Sequence, residues 1–171
     1  MIYWLLYRIW RPIRDFVCGN LEALFQRGKN DALDDLDIIR SAVARTQNAQ
    51  LLQKWYADRV FVWKSDPFKG RLDYVSKPWV SVARGYGDCD DMMAIAEYVL
   101  APIRGEGHRA STYSEDGSGH AVYVFQNGFG LRWEMMSNQY HKGPFVSPEQ
   151  AVRTCYGEDT SRMYIYGIGS I

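Results

Sequence analysis

The chain has 171 residues, 47% of them apolar and 23% charged, the composition of one soluble-type globular domain rather than of a disordered or membrane-spanning chain. Lys+Arg and Asp+Glu stand equal at 20 each, so no global field draws the chain to nucleic acid, and no nucleic-acid partner is expected. The 3 cysteines, Cys18, Cys89 and Cys155, are widely spaced; they argue against a disulfide framework and for a reducing, cytoplasmic compartment, and no CxxC or HxxxH pair supports a zinc site.

Residues 1–28 form an amphipathic aromatic and basic segment. Trp4 and Trp10 are interleaved with Arg8, Arg11 and Arg14, and its longest uncharged run falls far short of the ~20 residues a spanning helix needs. It lacks the order of charge, apolar run and small-residue cleavage site of a signal peptide. Two roles fit it: a helix packed on the domain or a partner, or a peripheral helix on a membrane surface with tryptophans at the interface. The polar break Gly28–Asp31 separates it from the remainder, 29–171. There Leu33, Leu36, Ile39 and Val43, then Leu51, Leu52, Trp55 and Tyr56, recur at helical spacing, and Thr46–Gln50 divides two helices. Val60–Trp63 leads to a turn at Ser65-Asp66-Pro67. Trp79–Ala83 reads as a short extended stretch and Arg84–Gly87 as a loop.

Asp88–Ala101 is the best-marked helix. Asp88 is a good N-cap, Asp90 and Asp91 complement the dipole in the first turn, Met92, Met93, Ala96, Val99 and Leu100 form a buried stripe, and Pro102 ends it. The period then changes from about 3.6 to 2. Strands are predicted at His108–Tyr113, His120–Phe125 and Leu131–Ser137, the last two joined through Asn127-Gly128. Ser147-Pro148-Glu149-Gln150 opens a helix with a capping-box pattern, and Met163–Ile168 is a last strand. Helices first and antiparallel strands later predict an α+β fold.

Cys89 follows the N-cap directly. The helix dipole favours its thiolate, and its own amide is placed to donate to a developing oxyanion. Asp88, Asp90 and Asp91 oppose this, since like charges raise a thiol pKa. A cationic partner is therefore required, and imidazolium is the usual one. Of the 3 histidines, His120 opens a strand after Gly117-Ser118-Gly119, where a ring can face a cleft. His108 and His141 read as exposed bystanders. Capping accounts for the three aspartates without a metal, so neither metal nor cofactor is expected. Taken alone, Cys89 could equally be a core cysteine on the stripe of Met92 and Ala96. Trp133 and Met135 read as core, and Cys18 and Cys155 as structural.

Gly87-Asp88-Cys89-Asp90-Asp91 at a helix start, Gly119-His120-Ala121 opening a strand, and Trp133 one hairpin later together resemble the transglutaminase-like, papain-type cysteine peptidase superfamily, which includes bacterial and phage-encoded members. Ser65-Asp66-Pro67 and Pro78 fit its run-in, and the resemblance spans roughly residues 55–140. It implies a catalytic Cys packed on an antiparallel sheet, with Cys89 as nucleophile and His120 as base in a domain covering 29–171. The family's third member, an aspartate four residues after the tryptophan, falls on Ser137 here. Asn138 follows and is the papain-type substitute, so it is placed first, ahead of Glu134 and Ser137; its use requires a one-residue bulge. The expected function is thiol-dependent acyl transfer on peptide or glutamine-type amides of a protein substrate, hydrolysis rather than cross-linking. The alternative is a catalytically degenerate module that docks a protein or membrane through residues 1–28.

Overall fold

The computed structural model describes residues 13–14, 16–24, 26–65, 74–103, 105–113, 119–127, 132–155, 162–165 and 169–170. Residues 16–24 are helical and are called α1. There follow α2 (Lys29–Thr46), α3 (Gln50–Arg59), β1 (Val62–Trp63), α4 (Pro78–Arg84), β2 (Tyr86–Gly87), α5 (Cys89–Leu100), β3 (Gly107–Tyr113), β4 (Gly119–Gln126), β5 (Trp133–Ser137), β6 (Tyr140–Phe145), α6 (Pro148–Arg153), β7 (Arg162–Ile165) and β8 (Gly169–Ser170). The six strands from β3 onward form one antiparallel sheet in the order β6-β5-β4-β3-β7-β8, while β1 and β2 make a separate parallel pair. Helices precede sheet, as the sequence predicts.

Alternation along β4 divides the core in two. Ala121, Tyr123 and Phe125 face the helical layer and join Leu36, Val43, Leu52, Tyr56, Ile95 and Val99. Val122 and Val124 face the other way and pack with Ala110, Met135 and, from α6, Ala151 and Val152. The sheet is therefore a middle layer. Helix α5 lies deepest: every residue from Asp90 to Ala96 is buried, and it touches α2, α4, β3, β4 and β5. That exceeds the single stripe expected from its spacing.

Three local assignments differ from expectation. Residues 79–83 are helical, because Pro78 occupies the first helical position, Lys77 before it is extended, and Gly85 ends the turn at φ 74. The β-branched Val80 and Val82 are buried there, where α4 packs on α2 and α5; tertiary burial overrides their strand preference. Tyr86–Gly87 is a strand rather than a loop, paired to Val62–Trp63. Strand β6 was not foreseen, since its sequence YHKGPF shows no apolar alternation. It is the sheet's edge, held by pairing with β5, and an edge tolerates Pro144. At α6 the capping box takes an offset form: Ser147 Oγ accepts from Gln150 N–H, while Gln150 Oε1 accepts from Val146 N–H. Trp4, Trp10, Pro67, Gly128 and residues 166–168 of the expected last strand lie outside the described residues. Among the described residues no helix is long and apolar enough to cross a membrane.

Candidate active site

Cys89 is the first residue of α5, half-buried, with its side chain against the helical-layer core. Asp88 holds the N-cap position in extended conformation, yet its side chain makes no capping hydrogen bond. The side-chain cap expected of Asp88 is therefore not made, while Asp90 and Asp91 do lie in the first turn of α5. Asp91 has other work: its Oδ2 pairs with Arg84 and its Oδ1 accepts the Ser76 N–H at 2.8 Å. Burial, ahead of every other cause, pushes the Asp91 carboxyl up to about 6, and Arg84 pulls against that rise.

The chain path brings Cys89 and His120 to one end of the molecule. Helix α5 runs about 18 Å from Cys89 at ~1.5 Å per residue. Strand β3 returns along it, with Arg109 paired to Glu97 near the helix's far end. Strand β4 reverses again, and its second residue, His120, lies opposite Thr112 near the close of β3. This path turns His120 toward the start of α5 rather than its end. By alternation its side chain leaves β4 on the face of Val122, toward α6.

Ser137 is the residue that meets the imidazole. Its Oγ lies 2.8 Å from His120 Nε2, because the pairing of Val122 with Ser137 puts position 137 on the His120 face. This contact engages Nε2. Asn138 has a different place. It takes φ 51 in the two-residue turn between β5 and β6, and its buried Oδ1 has no hydrogen-bond partner. No bulge slides it into line with His120 in the β4–β5 pairing. Glu134 points to the opposite face and bonds His141 at 2.9 Å. Burial first, then the charge of Lys142, holds the His120 pKa below its ordinary value.

Neither remaining histidine is an exposed bystander. His108 stacks on Trp133, with ring centroids 5.7 Å apart, and His141 anchors its backbone N–H to Gln53 of α3. Both are half-buried. Met135 is core and Trp133 packs on the α6-side cluster. Cys155 lies 3.3 Å from the Met135 sulfur, and burial pushes its thiol up to about 11, which marks it as inert near neutral pH. Sequence reasoning passed over Arg84, Ser76, Glu22 and Lys142. Only Arg84, three residues before Gly87, stood close enough to the motif to be a signal. A cavity of about 290 Å³ lies elsewhere, between α1 and residues 75–78, and its lining includes neither Cys89 nor His120.

No family model and no curated relative matches the chain. Solved structures do. LapG of Legionella pneumophila in its EGTA-treated form matches with TM-score 0.50 and 13% identity, over 78% of this chain and 74% of that one. Its calcium-bound form matches with TM-score 0.50 and 14% identity, over 85% and 80%. At this identity the likeness is one of fold, and it agrees with the α+β, papain/transglutaminase-like arrangement of helices on an antiparallel sheet.

Three of the acidic side chains cluster beside Cys89. Asp88, Asp90 and Asp91 each offer a carboxylate oxygen within 4.8 Å of the others. Asp91, however, already meets a guanidinium on one oxygen and an amide on the other.

Proposed function

We propose that the protein is a thiol-dependent acyl-transfer enzyme acting on peptide or glutamine-type amides of protein substrates, hydrolysing them rather than cross-linking them. The observation that supports this reading is the pairing of His120 with Ser137, taken with the place of Cys89 as the first residue of α5. In the proposed reaction the Cys89 thiolate attacks the amide carbon. The oxyanion is met by the Cys89 backbone N–H at the positive end of the α5 dipole. His120 gives its proton to the leaving amine, then takes one from the water that attacks the thioester and frees the acid. Ser137 holds the ring through Nε2, and Asn138, the expected third member, shapes the turn that follows Ser137.

Iodoacetamide labelling at pH 7 tests the assignment. Cys89 is expected to react far faster than Cys18 or Cys155, and His120→Ala to abolish that advantage. Equal labelling of the three thiols, or unchanged labelling in His120→Ala, would sink the mechanism.

A second reading, a non-catalytic docking module, is favoured by one feature. Phe16, Leu21 and Leu24 of α1 are 72%, 51% and 77% exposed, adjoining the tryptophans and arginines of residues 1–14. Co-sedimentation with anionic lipid vesicles, lost in Phe16→Asp and kept in Cys89→Ala, is the result this reading expects.

A further inference from the structure

We propose that Arg84 is a positioning residue for Cys89, one cation holding both ends of the elbow that presents the sulfur; this rests on Cys89 being the nucleophile. Arg84 closes α4, and its side chain is only 8% exposed. Its Nε donates to the Tyr86 carbonyl oxygen at 2.9 Å, one terminal nitrogen pairs with Asp91, and the other pairs with Glu22 of α1. Tyr86 is three residues before Cys89 and Asp91 two residues after it. The chain between them is β2, the turn at Asp88 and the first residues of α5, so a single guanidinium spans the segment that aims the Cys89 side chain and amide.

Ser76 completes the arrangement. Its N–H donates to Asp91 and its hydroxyl donates to Glu22 at 2.7 Å. Each carboxylate is thus held by both Arg84 and Ser76, and α1 is tied to the start of α5 through this ring. The fit is close: a Cβ on Gly87 would lie 2.7 Å from the Asp91 Cβ. A planar fork of five N–H groups can serve three acceptors in fixed directions, which the single ammonium of lysine cannot do.

The charge matters as much as the geometry. The three aspartates beside Cys89 oppose a thiolate. Arg84 compensates one of them by direct contact, and so lowers the negative potential that the sulfur experiences. Arg84 therefore acts on Cys89 in two ways, by orientation and by field.

The test compares iodoacetamide rates and their pH profiles at Cys89 in wild type, Arg84→Lys, and the charge-matched double variant Arg84→Gln with Asp91→Asn. The double variant removes both buried charges while keeping size, so that it folds; circular dichroism melts verify this for each protein. The expected result is at least a tenfold slower reaction at pH 7 in the double variant. Arg84→Lys, which keeps the charge but loses the fork, is expected to slow the reaction without displacing the pH midpoint. Folded variants that keep the wild-type rate and midpoint overturn the role of Arg84. Wild-type Cys89 reacting no faster than Cys18 and Cys155 overturns the nucleophile assignment itself, so the two failures are distinguishable.

Discussion

The hydroxyl of Ser137 lies 2.8 Å from Nε2 of His120, where the resembling family places a carboxylate. A neutral hydroxyl orients the ring but adds no charge to stabilise imidazolium. Ser137→Ala is expected to slow Cys89 alkylation by roughly 2- to 10-fold, the size of one neutral hydrogen bond. Ser137→Asp is expected to raise the His120 pKa, moving the acid limb of the alkylation profile to higher pH. A profile unmoved by both changes would make Ser137 a bystander.

Lys142 provides an independent handle on the same ring. Burial and the Lys142 charge both lower the His120 pKa. Removing the charge in Lys142→Met should raise it toward the ordinary value without reaching it, because burial remains. An NMR titration of the His120 ring reads this directly; a downward or absent shift would contradict the assigned cause.

Asp91 makes a pH-dependent contribution to stability whose sign is unusual for a carboxylate. Its folded pKa, about 6, lies above the ordinary 3.8. Between those values the folded state binds more protons than the unfolded state, so stability falls as pH rises. The contribution is present in full below pH 3.8 and is lost as pH rises through about 6. Urea melts of wild type and Asp91→Asn from pH 4 to 7 should show the wild type losing up to about 3 kcal/mol relative to the variant. His120 works in the opposite direction, its lowered pKa favouring the fold as pH rises toward 6.5. A constant difference between wild type and Asp91→Asn would overturn the linkage.

Two isoleucines test the layered core. Ile95 of α5 is 0% exposed and Ile38 of α2 is 69% exposed. Ile95→Ala should cost about 2–5 kcal/mol in denaturant melts, and Ile38→Ala no more than about 0.5. Comparable losses at both sites would contradict the placement of α5 at the centre.

Much of this was legible in the chain because local rules and tertiary packing agree. Cys89 begins its helix where the Asp88 N-cap signal and Pro102 bracket it, and the alternation from His120 to Phe125 marks a strand between two apolar layers. Legibility failed where pairing or distant contacts decide. YHKGPF becomes strand β6 only through β5, and Trp79–Ala83 becomes helical under the burial of Val80 and Val82. The site divides in the same way. Positions 89 and 120 stand out by motif, whereas Glu22 is distant in sequence from Ser76 and Arg84 and meets them only in the fold. The order of Ser137 and Asn138 depended on a strand register that no local pattern specifies.

Helix α5 touches α2, α4, β3, β4 and β5, and this has a consequence for how such a chain can diverge. Most side chains behind Cys89 are enclosed by neighbours, so few can change without harming the whole domain. Position 89 itself is only half-buried, at the helix tip. A lineage that gave up the chemistry could replace the sulfur and keep everything beneath it. If the proposed reaction holds, descendants of this fold would then preserve the helix and its surroundings as its fossil, and the identity of that one side chain would be the cheapest record of whether it survives.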